Sequence, residues 1–158
     1  MKNRKLSIRI SEEDLRTLHH KADKAKLSIT DYVTKACLGN AFENCENIKT
    51  VTFGNKVTNI GGEAFKNCKS IETVMIPDSV KTIDYSAFQN CTNLESLTIG
   101  NSVQSIGERA FMNTGLKNVS LGNAIKSIGI YAFNCEGLKS ITIPESVVYI
   151  GENAFGFF

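Results

Sequence analysis

From Leu38 onward the apolar positions fall into a repeating figure, not a continuous run. Each cycle begins with a short stretch in which apolar and polar residues alternate at its end: IKTVTFG, IETVMIP, LESLTIG, LKNVSLG and LKSITIP. A period of two predicts a strand with one inward face. Gly54, Pro77, Gly100, Gly122 and Pro144 close these stretches, which predicts one recurrent corner. A second apolar pair follows (Val57/Ile60, Val80/Ile83, Val103/Ile106, Ile125/Ile128, Val147/Ile150) and predicts a second inward side. An Ala-Phe turn completes the cycle and sets a phenylalanine column at 42, 65, 88, 111, 133 and 155. Aligned on Ala41, Ala64, Ala87, Ala110, Ala132 and Ala154, the spacings are 23, 23, 23, 22 and 22 residues. A fixed period of this size predicts a solenoid. One unit alone cannot cover its apolar edge, and stacking covers it.

Two further columns sit beside the phenylalanines. Cys45, Cys68, Cys91 and Cys135 share one position, with Thr114 standing in for a fifth. Zinc needs four ligands around one point, whereas one residue per coil gives a line with steps of about 4.8 Å. The thiols are therefore expected as small packing groups, with no metal and no cofactor, and Cys37 as a core residue ahead of them. Asn44, Asn67, Asn90, Asn113 and Asn134 form the neighbouring column. They are expected to satisfy backbone groups between coils, because buried polar backbone must find partners.

These columns together resemble the BspA-type leucine-rich repeat, a bacterial variant with I-G-x-x-A-F-x-N-C and L-x-x-V-x-I-P in each unit. The resemblance spans about Leu38 to Phe155. It implies a right-handed solenoid of about five 22–23-residue units with a parallel sheet, acting as an adhesion or protein-binding surface. The outward sheet positions Lys49, Thr52, Glu72, Met75, Glu95, Thr98, Lys117 and Lys139 are the candidate protein-binding face. They form a small-residue surface of mixed charge without an aromatic anchor.

The first forty residues read differently. Leu6, Ile8 and Ile10 alternate with Lys5, Ser7 and Arg9, predicting a half-buried strand with a basic outer face. Ser11 with Glu12–Asp14 predicts a capped helix start, with Leu15, Leu18, Ala22 and Ala25 as its buried stripe. A second helix is predicted after Lys26–Ile29, capped by Ser28 or Thr30 and closed at Gly39. The fold expected for the whole chain is therefore α+β: a strand-helix-helix head at 1–39 and the repeat at 40–158. The head resembles the ribbon-helix-helix proteins of plasmid mobilisation and antitoxin systems. The resemblance implies two copies paired through residues 5–10, with Lys5, Ser7 and Arg9 facing DNA bases. It also implies phosphate contacts from Ser28 and Thr30 and added backbone charge from Lys2 and Arg4. The competing expectation is that the head only caps the solenoid.

Charge sharpens that choice. Residues 1–39 carry nine Lys/Arg against five Asp/Glu, and residues 40–158 nine against eleven. A polyanion partner would therefore meet the head. No apolar run has the length of a signal core or a membrane span, so the expected location is cytoplasmic with reduced thiols. The alternative is the cell surface, if the chain is a truncated or leaderless relative of surface repeat proteins. The two histidines, His19 and His20, stand together without an oriented partner, and no Gly-rich phosphate loop or G-x-S-x-G elbow occurs, so no catalytic residue is expected. Phe157 and Phe158 end the sequence without a polar cap, which is a risk for self-association.

Overall fold

The computed structural model describes residues 7–9, 16, 20, 42–45, 47–55 and 57–156. Among the described residues ten short strands build two five-stranded sheets. In the first sheet, β2 (Thr50–Thr52), β4 (Thr73–Ile76), β6 (Ser96–Ile99) and β8 (Asn118–Ser120) run parallel, one per coil. β1 (Ser7–Arg9) adds antiparallel to β2 at the N-terminal edge. The second sheet stacks β3 (Asn59–Ile60), β5 (Thr82–Ile83), β7 (Ser105–Ile106), β9 (Ser127–Ile128) and β10 (Tyr149–Ile150), all parallel. Four coils thus carry a strand on both sheets, and a last coil adds β10 alone. The Val-x-x-Ile side predicted from sequence is itself a sheet.

The third side of each coil is the Ala-Phe turn. It holds no strand, yet it has its own ladder. The amides of Phe42, Phe65, Phe88, Phe111 and Phe133 donate to the carbonyls of Ala64, Ala87, Ala110, Ala132 and Ala154 at 2.7–3.0 Å. Buried main chain is thereby satisfied from coil to coil on all three sides. Inside, the phenylalanine rings stack with centroids 5.1–5.7 Å apart and planes within 9°. Phe53 meets Phe65 edge-on at 5.9 Å. Around this column Val74, Leu97, Ile83, Ile106 and Ile128 are buried.

Three expectations need correction. LKSITIP was predicted as a strand, but residues 138–144 form none; Ile141 and Ile143 are only partly buried, and among the described residues no coil packs on their far side to hold them in register. Asn134 does not belong to the asparagine column. Asn44, Asn67, Asn90 and Asn113 have φ of 55–63°, and Asn134 does not. The bonds show why: Asn90 N–H donates to Met112 O, and Asn113 N–H donates to Asn134 O. Asn134 thus occupies the position of Met112, because AFNC is one residue shorter than AFMNT. The true column bonds chiefly to itself, with Nδ2 of Asn67, Asn90 and Asn113 donating to Oδ1 of the preceding asparagine at 2.7–3.0 Å. Third, the expected strand-helix-helix head is represented by β1 and by helical backbone at Arg16 and His20. No whole helix lies among the described residues, so the α half of the predicted α+β class is not part of the described fold.

Candidate interaction face

The first sheet turns one side to the core and the other to solvent, and alternation decides which residue goes where. In β2, β4 and β6 the inward residues are Val51, Val74 with Ile76, and Leu97 with Ile99. The outward residues align in rows by register. One row is Thr50, Thr73, Ser96 and Asn118; the next is Thr52, Met75, Thr98 and Ser120. Lys49, Glu72, Glu95, Lys117 and Lys139 flank them, and all are exposed. Thr52, Met75 and Thr98 therefore lie on the outward side of the sheet, Lys49, Glu72, Glu95 and Lys117 are the exposed residues just before its strands, and Lys139 stands in residues 138–144, which form no strand. Lys117 donates to Glu95 at 2.6 Å across neighbouring coils, an exposed pair that fixes side chains more than it stabilises.

The face is not flat. A shallow groove of about 430 Å³ opens at its N-terminal part, lined by Lys49, Thr52, Phe53, Glu72, Met75 and Pro77 among others. Met75 is 67% exposed, so its flexible thioether stands as an apolar post in a field of threonines. A second groove of about 300 Å³ follows, between Thr98, Lys117, Ser120 and Thr142. Phe53, which lines the first groove, was not singled out from sequence. Its signal was available: it is the only aromatic residue at its strand position, where the other units have Ile or Leu.

β1 extends the same sheet. Ser7 pairs with Thr52, Ile8 with Val51 and Arg9 with Thr50. By register, position 7 stands beside Thr52 and position 9 beside Thr50, so these two head positions share a sheet with the repeat. Lys2, Arg4, Lys5, Ser28 and Thr30 lie outside the described residues. The strand expected to pair with a second copy pairs here with the repeat of its own chain.

The cysteine column takes no part in the face. Cys45, Cys68, Cys91 and Cys135 are buried thiols that form no disulfide. Cys68, Cys91 and Cys135 donate Sγ–H to the carbonyls of Phe42, Phe65 and Phe111, each in the preceding coil, at 2.9–3.3 Å. Burial pushes the Cys91 thiol up to about 12 and also raises Cys135, so both stay protonated donors at neutral pH. Thr114 fills the same position but turns its hydroxyl to its own coil, donating to Phe111 O at 2.9 Å. Among the described residues no group of three or more His, Cys, Asp or Glu is placed to hold a metal ion.

The profile of the BspA type leucine rich repeat region matches residues 35–157 in six copies. The chain belongs to this family. A second profile, Mobilization protein NikA, matches residues 1–63 and so overlaps the first coil. Among solved structures, a leucine-rich repeat protein from Bacteroides ovatus is 41% identical over 61% of this chain and 26% of its own, with a TM-score of 0.58. A leucine rich cell surface protein from Faecalibacterium prausnitzii is 29% identical over 73% of this chain and 38% of its own, with a TM-score of 0.56. The Treponema pallidum leucine rich repeat protein is 27% identical over 60% and 45%, with a TM-score of 0.53. The chain thus spans between a quarter and a half of the length of these relatives. No protein of curated function matches it.

Proposed function

We propose that this chain is a non-catalytic protein-binding module that docks a partner on the outward face of its first sheet, with β1 as the N-terminal end of that sheet. The observation that carries the reading is the exposed Met75, standing in a groove between Thr52, Phe53 and Pro77 on an otherwise polar, regularly spaced surface. Apolar anchors inside a polar surround are where binding energy concentrates. The antiparallel pairing of β1 with β2 supports the head as a cap, since it occupies an edge that would otherwise recruit other strands. A photo-crosslinker at Met75 or Thr98 should capture a protein in the native host, and one at Lys81, beside the second sheet, should not. Equal labelling from both sheets defeats the reading.

The match to a mobilisation protein favours a second reading, in which the head binds DNA through Lys5, Ser7 and Arg9. The major groove admits a two-stranded ribbon but not a wide sheet. With β1 joined to β2, a paired ribbon would be flanked by solenoid strands, so DNA reading requires β1 to leave β2. A gel-shift assay at low salt tests this: affinity that falls steeply with salt and again on Arg9→Ala supports it, and absence of binding ends it. Location separates the two readings as well. DNA binding belongs to the cytoplasm, whereas a partner met at the cell surface, the setting named for the F. prausnitzii relative, belongs outside it; fractionation of host cells decides. Among the described residues no helix is long and apolar enough to cross a membrane.

A further inference from the structure

Met75 and Met112 are the methionines among the described residues, and the fold treats them oppositely. Met112 lies in an Ala-Phe turn and is partly buried. The side-chain amide of Gln89, in the preceding coil, donates to its sulfur at 3.8 Å. Met75 stands on the outward side of β4 and is 67% exposed. Among the described residues of the first sheet it is the one large apolar side chain that stands out in solvent. By register it sits between Thr52 and Thr98 of the neighbouring coils, both exposed, at steps of about 4.8 Å. It also borders the groove that Phe53 and Pro77 line.

A thioether so placed has a chemistry that its neighbours lack. Threonine hydroxyls do not oxidise under mild conditions. The thiols of the cysteine column are buried, and a thiol reacts through its thiolate, which burial disfavours. The sulfur of Met75 needs no deprotonation and is open to solvent, and exposure governs how readily a methionine is oxidised.

We infer that Met75 is a reversible oxidation site at which a peroxide turns the docking groove from apolar to polar; the switch rests on the protein-binding reading, whereas the site itself does not. The sulfur attacks one peroxide oxygen. The O–O bond breaks as the S–O bond forms, and the second oxygen leaves with both protons as water. Sulfur loses the two electrons that the peroxide gains. Methionine sulfoxide reductases return the product to the thioether with two electrons from a dithiol. The row explains why the fold tolerates the change. The new oxygen is an acceptor set between two threonines, whose hydroxyls can donate to it. Val74 and Ile76, on the inward side of β4, carry its packing and are untouched. The groove alone is altered, because its apolar post becomes a polar one.

The test treats the full chain with hydrogen peroxide and follows each methionine by peptide mass spectrometry. Met75 should oxidise roughly tenfold faster than Met112, or more, because the two differ in exposure. Circular dichroism and the urea midpoint of the chain oxidised at Met75 should stay as in the parent. The two sulfoxide reductases with dithiothreitol should restore the parent mass. Equal rates at the two methionines overturn the site. So does unfolding on oxidation of Met75, which would make the sulfoxide a lesion. The switch is read separately, with a photo-crosslinker at Thr98 in chain that is oxidised before it meets host extract. Capture should be lost on oxidation and return on reduction. Met75→Leu, apolar but without sulfur, should capture equally before and after peroxide. Capture that survives oxidation of Met75 overturns the switch and leaves the docking reading standing. No capture by untreated chain ends the docking reading and the switch together, and the masses alone then decide the site.

Discussion

Single residues in this fold are judged by their column. Phe88 lies in mid-stack, with Phe65 and Phe111 parallel to it at 5.1 and 5.3 Å. Phe88→Ala removes a fully buried ring and both contacts, and should cost about 3–5 kcal/mol in urea unfolding. Phe155→Ala, at the partly buried end of the same stack, should cost less than half of that. A second column is strained. Glu63, Ser86, Arg109 and Tyr131, each just before an Ala-Phe pair, have φ of 52–60°, a region that side chains other than Asn and Asp adopt at a cost. In the last coil Asn153 fills this position. Glu63→Asn should therefore raise stability by roughly 0.5–1 kcal/mol, although it gives up the half-buried contact of Glu63 with Lys66. A drop in the urea midpoint would contradict this account of the column. The strain was invisible in the sequence, because its residue types (Glu, Ser, Arg, Tyr, Asn) share nothing but their distance from Ala-Phe. The phenylalanine stack was legible because one residue type recurs at one spacing.

At the scale of the element, what counts is how closely one coil approaches the next. A Cβ on Gly107 would lie 2.6 Å from Asp84 C and Tyr85 N of the preceding coil. Since both are backbone atoms, Gly107→Ala must push two coils apart, and about 1–3 kcal/mol of destabilisation is expected. The thiols bind the same neighbours from inside. Cys91 keeps its proton in the folded protein up to about pH 12, whereas an unfolded thiol loses it near 8.5. The unfolded state therefore binds fewer protons over that interval, and stability falls as pH rises from about 8.5 towards 12. Comparing parent and Cys91→Ala by urea unfolding between pH 8 and 10 isolates the effect: the parent should lose more stability over that range. Strand boundaries were partly legible. β4 and β6 follow the alternation that predicted them, while LKSITIP has the same alternation and forms no strand. Alternation names the face a strand would bury, but the neighbouring coil supplies the ladder that makes it a strand.

Among the described residues the molecule is a parallel stack with one antiparallel strand on the N-terminal edge of its first sheet. The repeat from 42 onward could be read from sequence because every unit restates the same inward residues. The pairing of β1 with β2 could not, since alternation in residues 5–10 is equally consistent with pairing to a second copy, and nothing local distinguishes the two. The outward columns of the first sheet were legible in the sequence; the groove at Phe53 and Met75 was not, because it depends on how Pro77 and Phe53 shape the corner. Removing residues 1–9 uncovers the edge of β2. The truncated chain should consequently self-associate more readily than the full one, as light scattering at equal concentration would show.

The antiparallel strand also gives the molecule a direction of length. With one end closed, a further 23-residue unit inserted in the stack moves the two ends apart by about 4.8 Å and adds one row to the outward face. The number of copies therefore sets the distance between the two ends of the stack, as the marks of a ruler do.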